Sequence, residues 1–183
     1  MAAKKTESLA DVIAARRNRL SLRADCLSLL RRIILLVGAG YLFFTQLFLI
    51  AQVRGMDMFP ALKDGDLAIV FRLQQEYAKD DVIAYETSDG VRFGRIVARE
   101  TDVVMMDDSG TLLVNGTAQS GEILYPTYAL EGLGVSYPYR VPEGCVFVLG
   151  DYRTKATDSR TFGPVALDQV AGKVITILRR RGL

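Results

Sequence analysis

Val82-Ile83-Ala84-Tyr85-Glu86-Thr87-Ser88-Asp89-Gly90-Val91-Arg92-Phe93-Gly94-Arg95-Ile96-Val97 is the stretch from which the fold can be read. Two runs rich in β-branched and aromatic residues, 82–85 and 91–97, flank Ser88-Asp89-Gly90, and a Gly-containing turn between such runs marks a β-hairpin. The pattern repeats outward in both directions. Leu67 to Phe71 follows the turn Lys63-Asp64-Gly65-Asp66. Val103 to Met106 and Leu112 to Val114 enclose Asp107-Asp108-Ser109-Gly110 and close on Asn115-Gly116, and Val146 to Leu149 and Val170 to Leu178 come later. Short strands at this spacing, without sustained helical periodicity, predict a mainly β domain of sandwich or barrel type. Residues 119–140 set Gly121, Pro126, Gly132, Gly134 and Pro138 among Tyr125, Tyr128, Tyr137 and Tyr139, and are expected to form a long loop or insert. Asn115-Gly116-Thr117 is formally a glycosylation sequon, but an Asn-Gly hairpin turn explains it better.

Upstream of the strands the chain changes character. Ile33 to Val53 is a run of 21 residues without a charge, interrupted only by Gly38, Gly40, Thr45, Gln46 and Gln52. As a helix it spans about 30 Å of hydrocarbon. It is longer than the ~7–15 apolar residues of a cleavable signal peptide, and Gln52-Val53-Arg54-Gly55 is a poor cleavage site. The run predicts a transmembrane helix over 33–53, between a basic tail, 1–32, and an outer β domain, 54–183. The tail carries eight basic residues, Lys4, Lys5, Arg16, Arg17, Arg19, Arg23, Arg31 and Arg32, against Glu7, Asp11 and Asp25, a bias that keeps this end in the cytoplasm. A helix over 7–32, capped at Ser8-Leu9-Ala10-Asp11, is expected to meet anionic lipid with its arginines. From Arg54 onward acidic residues outnumber basic ones, which leaves no basic patch for a nucleic acid.

The two cysteines, Cys26 and Cys145, fall on opposite sides of the expected membrane and cannot pair within one chain. Cys145 opens the apolar run Cys145-Val146-Phe147-Val148-Leu149 and reads as a small buried hydrophobe. The chain has no histidine, which excludes Ser-His-Asp and Cys-His catalysis and the usual zinc protease helix. No metal or organic cofactor is indicated.

Val53-Arg54-Gly55-Met56-Asp57-Met58-Phe59-Pro60-Ala61-Leu62 resembles the nucleophile segment G-x-S-M-x-P-T-L of the bacterial type I signal peptidases of the S26 family, with Asp57 in the serine's place. Gly150-Asp151-Tyr152-Arg153 through Asp158-Ser159-Arg160-Thr161-Phe162-Gly163 resembles the family's G-D-N-R-x-x-S-x-D-S-R-x-x-G element. Gly65-Asp66 and Gly110-Thr111-Leu112-Leu113-Val114-Asn115-Gly116 match two further segments. The resemblance implies a signal peptidase-like β domain behind one transmembrane helix, in a bacterial cell membrane. It also implies a chemistry in which a neutral lysine takes the serine proton and hydroxyl and amide donors hold the oxyanion, so that signal peptides are cut from translocated proteins.

The residues for that chemistry are absent. The family's lysine strand, Y-V-K-R-V-I-G, is matched by Arg92-Phe93-Gly94-Arg95-Ile96-Val97-Ala98, with Gly94 in the lysine's place. Arg95 is its strand neighbour, so it points to the other face, and a guanidinium stays protonated. Ala156 stands where a serine would orient the lysine. The resemblance therefore implies no catalytic residue at the degenerate dyad positions Asp57 and Gly94 or at the orienting position Ala156. It leaves a peptide groove made of Met56, Asp57, Met58, Pro60 and Gly94, and a structural frame made of Asp151, Arg153, Asp158 and Arg160, the last two as an ion pair.

Two other chemistries compete with this reading. Asp57 with Asp158 or Asp151 would form an aspartic dyad, and Lys155 would serve Thr157 or Ser159 as a base. Against them stand solvated or Arg-paired aspartates and a surface lysine that stays charged. Three functions follow. The first is a non-catalytic homologue that binds extended peptide segments of secreted or pilin-like proteins. Asp for Ser and Gly for Lys is the pattern of the signal peptidase-like proteins of Gram-positive pilus assembly. The second is a working signal peptidase I with atypical residues, and the third a structural or regulatory membrane protein. The expected partners are an extended peptide and membrane lipid, with no nucleic acid.

Overall fold

The computed structural model describes residues 9–119, 124–130 and 135–179. Lys4, Lys5, Glu7 and Ser8 of the tail and Gly121, Gly132 and Gly134 of the expected insert lie outside the described residues. The chain divides into an N-terminal unit ending at Thr45 and a second unit beginning at Gln46.

One helix, α1, runs unbroken from Leu9 to Leu47, so the basic segment and the apolar run are one element. Its stretch Asp25–Leu47, 23 residues with a mean hydropathy of 1.8, is long and apolar enough to cross a membrane. Leu35, Leu36, Phe43 and Phe44 are all exposed along it, as side chains facing lipid would be.

The expected span to Val53 is too long. The helix ends at Leu47, and Phe48–Gln52 is a strand, β1, paired antiparallel with β2, Leu67–Phe71. Hydropathy alone does not separate an apolar helix from an apolar strand. The pairing decides it here, because Leu49 and Ala51 join the core around Val53 and Met58 while Ile50 is left exposed.

The second unit holds two antiparallel sheets, the mainly β fold that the hairpin pattern predicts. The larger has the order β1, β2, β11 (Val170–Leu178), β3 (Val82–Thr87), β4 (Gly90–Ala98), β9 (Cys145–Leu149) and β10 (Val165–Ala166). The smaller has β7 (Thr117–Ala118), β6 (Leu112–Val114), β5 (Val103–Met106) and β8 (Tyr139–Arg140). The short strands β7, β8 and β10 carry too few residues to announce themselves by periodicity.

Strand β4 organises the interior. Phe93 enters a core with Val53, Met58, Leu62 and Ala84. Ile96 enters a second with Ile83, Tyr85 and Val148, and Val97 and Ala98 a third that joins the two sheets through Val104, Leu112 and Phe147. Residues of opposite parity on a strand face opposite sides, and a shift of register against β9 between Ile96 and Ala98 breaks the alternation where Val97 and Ala98 enter the same core. Cys145 is half-buried against the third core. Three backbone positions fix registers. Asn115 and Gly116 both have positive φ, 53° and 78°, the demand of a type I′ hairpin turn. At Gly172 a side chain would collide with the Phe71 carbonyl, so only glycine lets β11 cross β2 there.

Candidate functional site

The segment after β1 is held by its own backbone. Val53 donates to the Asp66 carbonyl at 2.8 Å and Gly55 to the Asp64 carboxylate at 2.8 Å, and Leu62 closes a helical turn on the Met58 carbonyl at 2.8 Å. Met58 and Leu62 are buried in the core. They pin the turn from below and leave Asp57 half-buried beside β4. The Asp57 carbonyl accepts from Tyr152 at 2.9 Å, which ties the turn to the late loop.

Burial pushes the Asp57 carboxyl up from its ordinary range. The Thr157 backbone N–H and the Arg92 guanidinium oppose that shift, and the Asp158 charge adds to it. Among the described residues no lysine is one of the groups that act on it.

At Gly94 the space for a side chain is nearly filled. A Cβ there would lie 3.2 Å from Val148 Cβ and 3.3 Å from Tyr85 Cε1. Tyr85 is 2 % exposed, and burial raises its phenol far above the usual tyrosine range, so it stays protonated. Arg95 turns away and is gripped by Asp151, with Nε and Nη2 each 2.7 Å from a carboxylate oxygen. Ala156, 6 % exposed, touches the place where a Gly150 side chain would start.

Around this centre lies a fully wired frame. The Asp158 carboxylate accepts from Arg160 Nε and Nη2 at 2.8 Å each and from the Gly150 N–H at 3.1 Å. It also caps the short helix α2, Ser159–Phe162, by accepting from the Arg160 N–H. Arg160 Nη2 reaches the Arg153 carbonyl as well. Arg153, 4 % exposed, donates to the Gly150 carbonyl at 2.9 Å and to the Thr127 hydroxyl at 2.8 Å. Burial pulls its guanidinium down from the usual range, and the neighbouring aspartates oppose this. Asp151 belongs to Arg95 rather than to this cluster.

The residues of the competing chemistries have other partners. Asp158 accepts from Arg160 on both oxygens and Asp151 from Arg95 on both, and among the described residues no hydrogen bond joins either carboxylate to that of Asp57. Ser159 is fully buried, its hydroxyl accepting from the Val148 N–H at 3.0 Å. Lys155 is exposed and stands over the Tyr152 ring, 5.4 Å from its centroid. Among the described residues no cluster of three or more His, Cys, Asp or Glu side chains is placed to hold a metal ion.

Of the five expected groove residues, Asp57 and Met58 line one small cavity of about 20 Å³ with Val53, Arg54, Gly55, Arg92 and Phe93. That is room for about one water molecule. Met56 is 45 % exposed, and neither it nor Pro60 nor Gly94 lines the cavity. Arg92 forms its wall and also the wall of a larger cleft, about 410 Å³, between the β3–β4 turn and α2. Sequence reasoning missed Arg92 and Tyr85. Strand alternation was the available signal, since Arg92 lies two residues before Gly94 and shares its face.

Residues 26–178 match the family model described as signal peptidase, peptidase S26. A probable thylakoidal processing peptidase 2 of Arabidopsis thaliana is 34 % identical over 140 residues, covering 68 % of this chain and 36 % of its own length. A signal peptidase I of Bacillus caldolyticus is 33 % identical over 140 residues, covering 67 % of this chain and 74 % of its own. The chain thus spans well under half of the plant relative and about three quarters of the bacterial one. Among solved structures, a signal peptidase I of Enterococcus faecalis is 30 % identical, with a TM-score of 0.48 over 56 % of this chain and 98 % of that one.

Proposed function

The chain belongs to the S26 signal peptidase family, and we propose that within it the protein is a membrane-anchored, non-catalytic member that binds extended peptide segments of secreted or surface proteins. One observation carries this reading. At the nucleophile position stands Asp57, half-buried, with Thr157, Arg92 and Asp158 acting on its carboxylate, and the room a base would need at Gly94 is taken by Tyr85 and Val148. General-base activation is worth roughly 10²- to 10⁴-fold, and nucleophile and base act as a unit, so without either one the family's Ser-Lys chemistry has no residues to carry it.

Binding has separate support. β1 is an edge strand, paired on one side with β2, and it leads directly into Arg54-Gly55-Met56-Asp57. An extended peptide can add to such an edge through main-chain hydrogen bonds whether or not a bond is attacked. Asp57 would meet it as a carboxylate, able to accept a charge-assisted hydrogen bond that a serine hydroxyl cannot match. In this account α1 crosses a bacterial cell membrane with the basic end in the cytoplasm and its arginines on anionic lipid, and pilin-like subunits are the first partners to test.

The test is recovery of cross-linked peptide segments from membranes carrying the full chain or its Asp57→Ala variant, with a thermal melt on each. The reading expects lower recovery with an unchanged melt. Equal recovery in the two would move the binding surface away from Asp57.

A further inference from the structure

We propose that the cleft between the β3–β4 turn and α2 receives a basic side chain, lysine or arginine, of the peptide that the protein binds. The inference rests on the peptide-binding reading and adds to it the chemistry of one recognised residue. The cleft, about 410 Å³, falls within the ~300–1,000 Å³ range of ligand clefts. It is twenty times the size of the cavity beside Asp57, and Arg92 separates the two.

Charge sets the class of occupant. Glu86 and Asp89 stand on the cleft's exposed rim and Asp57 lies behind Arg92, so three carboxylates face one guanidinium. Asp158 adds little, because Arg160 neutralises it. The pairing of Arg92 with Asp89 is loose, 3.5 Å with the Asp89 side chain 73 % exposed, and an incoming cation can displace it. The floor suits the stem of such a side chain. Phe162, 44 % exposed, lies against Tyr85 with ring centroids 6.2 Å apart, and Pro164 and Val165 continue the apolar surface. Long basic side chains lay their methylenes on apolar or aromatic surface and leave the charge in water.

A second feature stands beside the charge. Tyr85 lines the cleft while being 98 % buried as a residue, and its hydroxyl, which is not one of the groups sealed from solvent, opens to the cleft without a hydrogen bond to another described residue. A peptide carbonyl laid across the cleft would accept from it, which places a main-chain contact next to the acidic rim.

The experiment uses the purified full chain in detergent and short fluorescein-labelled Ala/Ser/Val peptides. Each carries lysine, norleucine or glutamate at one position scanned along the peptide, and affinity is read by anisotropy. At one position lysine is expected to bind roughly tenfold tighter than norleucine, with glutamate weakest, and the difference should shrink in high salt. Glu86→Gln with Asp89→Asn should erase the discrimination without moving the melting temperature, since both residues are exposed. Tyr85→Phe should weaken all three peptides alike. Equal affinities for the three, or glutamate binding tightest through Arg92, would overturn the inference and leave peptide binding standing. Absence of binding by every peptide would overturn both.

Discussion

Asp57 and Asp158 are two aspartates that feel each other's charge, and everything around them differs. Asp158 is 2 % exposed and spends both oxygens on Arg160, a backbone N–H and a helix cap. Asp57 is half-buried and, among the described residues, has no cation partner at salt-bridge distance. A buried charge is tolerated only when its hydrogen bonds are complete, so the surroundings of Asp158 cannot drift piecemeal without loss of the fold. The surroundings of Asp57 answer to chemistry alone. Tyr85 and Val148 pack beside Gly94, and Ala156 beside Gly150. In the reading proposed above, the frame of a peptidase persists without its reaction.

The comparison breaks most sharply if the frame proves dispensable. Asp158→Ala strands the buried Arg160 guanidinium and removes the cap of α2, and is expected to cost about 3–5 kcal/mol. Chemical denaturation of the full chain in detergent checks this, and Asp57→Ala serves as the matched control, with a change within about 0.5 kcal/mol. Equal losses for the two would erase the distinction.

How far was this contrast legible in the sequence? The hairpin at Ser88-Asp89-Gly90 and the strands on either side declared themselves by residue type and turn chemistry, and the glycine at 94 and alanine at 156 by the family motif. The end of the membrane span did not, because Phe48 to Gln52 is as apolar as the helix before it and only pairing with β2 makes it a strand. Nor did the partner of Asp151. The motif names none, and the fold delivers Arg95 from β4, 56 residues away. Long-range pairs of this kind, and the filling of the lysine's place by Tyr85, depend on which strands become neighbours. Local patterns do not carry that.

A smaller effect sharpens the account of the centre. Gly94→Lys must push Tyr85 or Val148 by a few tenths of an ångström, and overpacking of this sort costs about 1–3 kcal/mol. Asp57→Ser with Gly94→Lys should therefore fall short of the family's activity, with a lysine both crowded and unoriented. Adding Ala156→Ser should raise it. Full activity in the double variant would show that the hydroxyl at 156 and the Tyr85 ring matter less than argued.

Smaller again is Asp151→Ala. The Arg95–Asp151 pair is partly solvated, with side chains 25 % and 15 % exposed, so its loss should cost about 1 kcal/mol. A loss near that of Asp158→Ala would extend the frame outward to β4.

The smallest effect is a pH dependence. The folded-state pKa of Asp57 is raised above its unfolded value of 3.8, so the folded state holds its proton longer. The contribution is present at pH below the unfolded value and is lost as pH rises through the folded one. Asp57→Asn should flatten that part of the stability–pH profile and leave the rest unchanged. A profile that Asp57→Asn leaves untouched would mean that the carboxyl is not desolvated.

The most direct test of the central claim is processing of a preprotein by the purified full chain in detergent, followed by gel mobility beside its Asp57→Ala variant. The account predicts that neither protein shortens the substrate. Cleavage by the unaltered chain that disappears with Asp57→Ala would contradict it, because Asp57 would then be a catalytic residue after all.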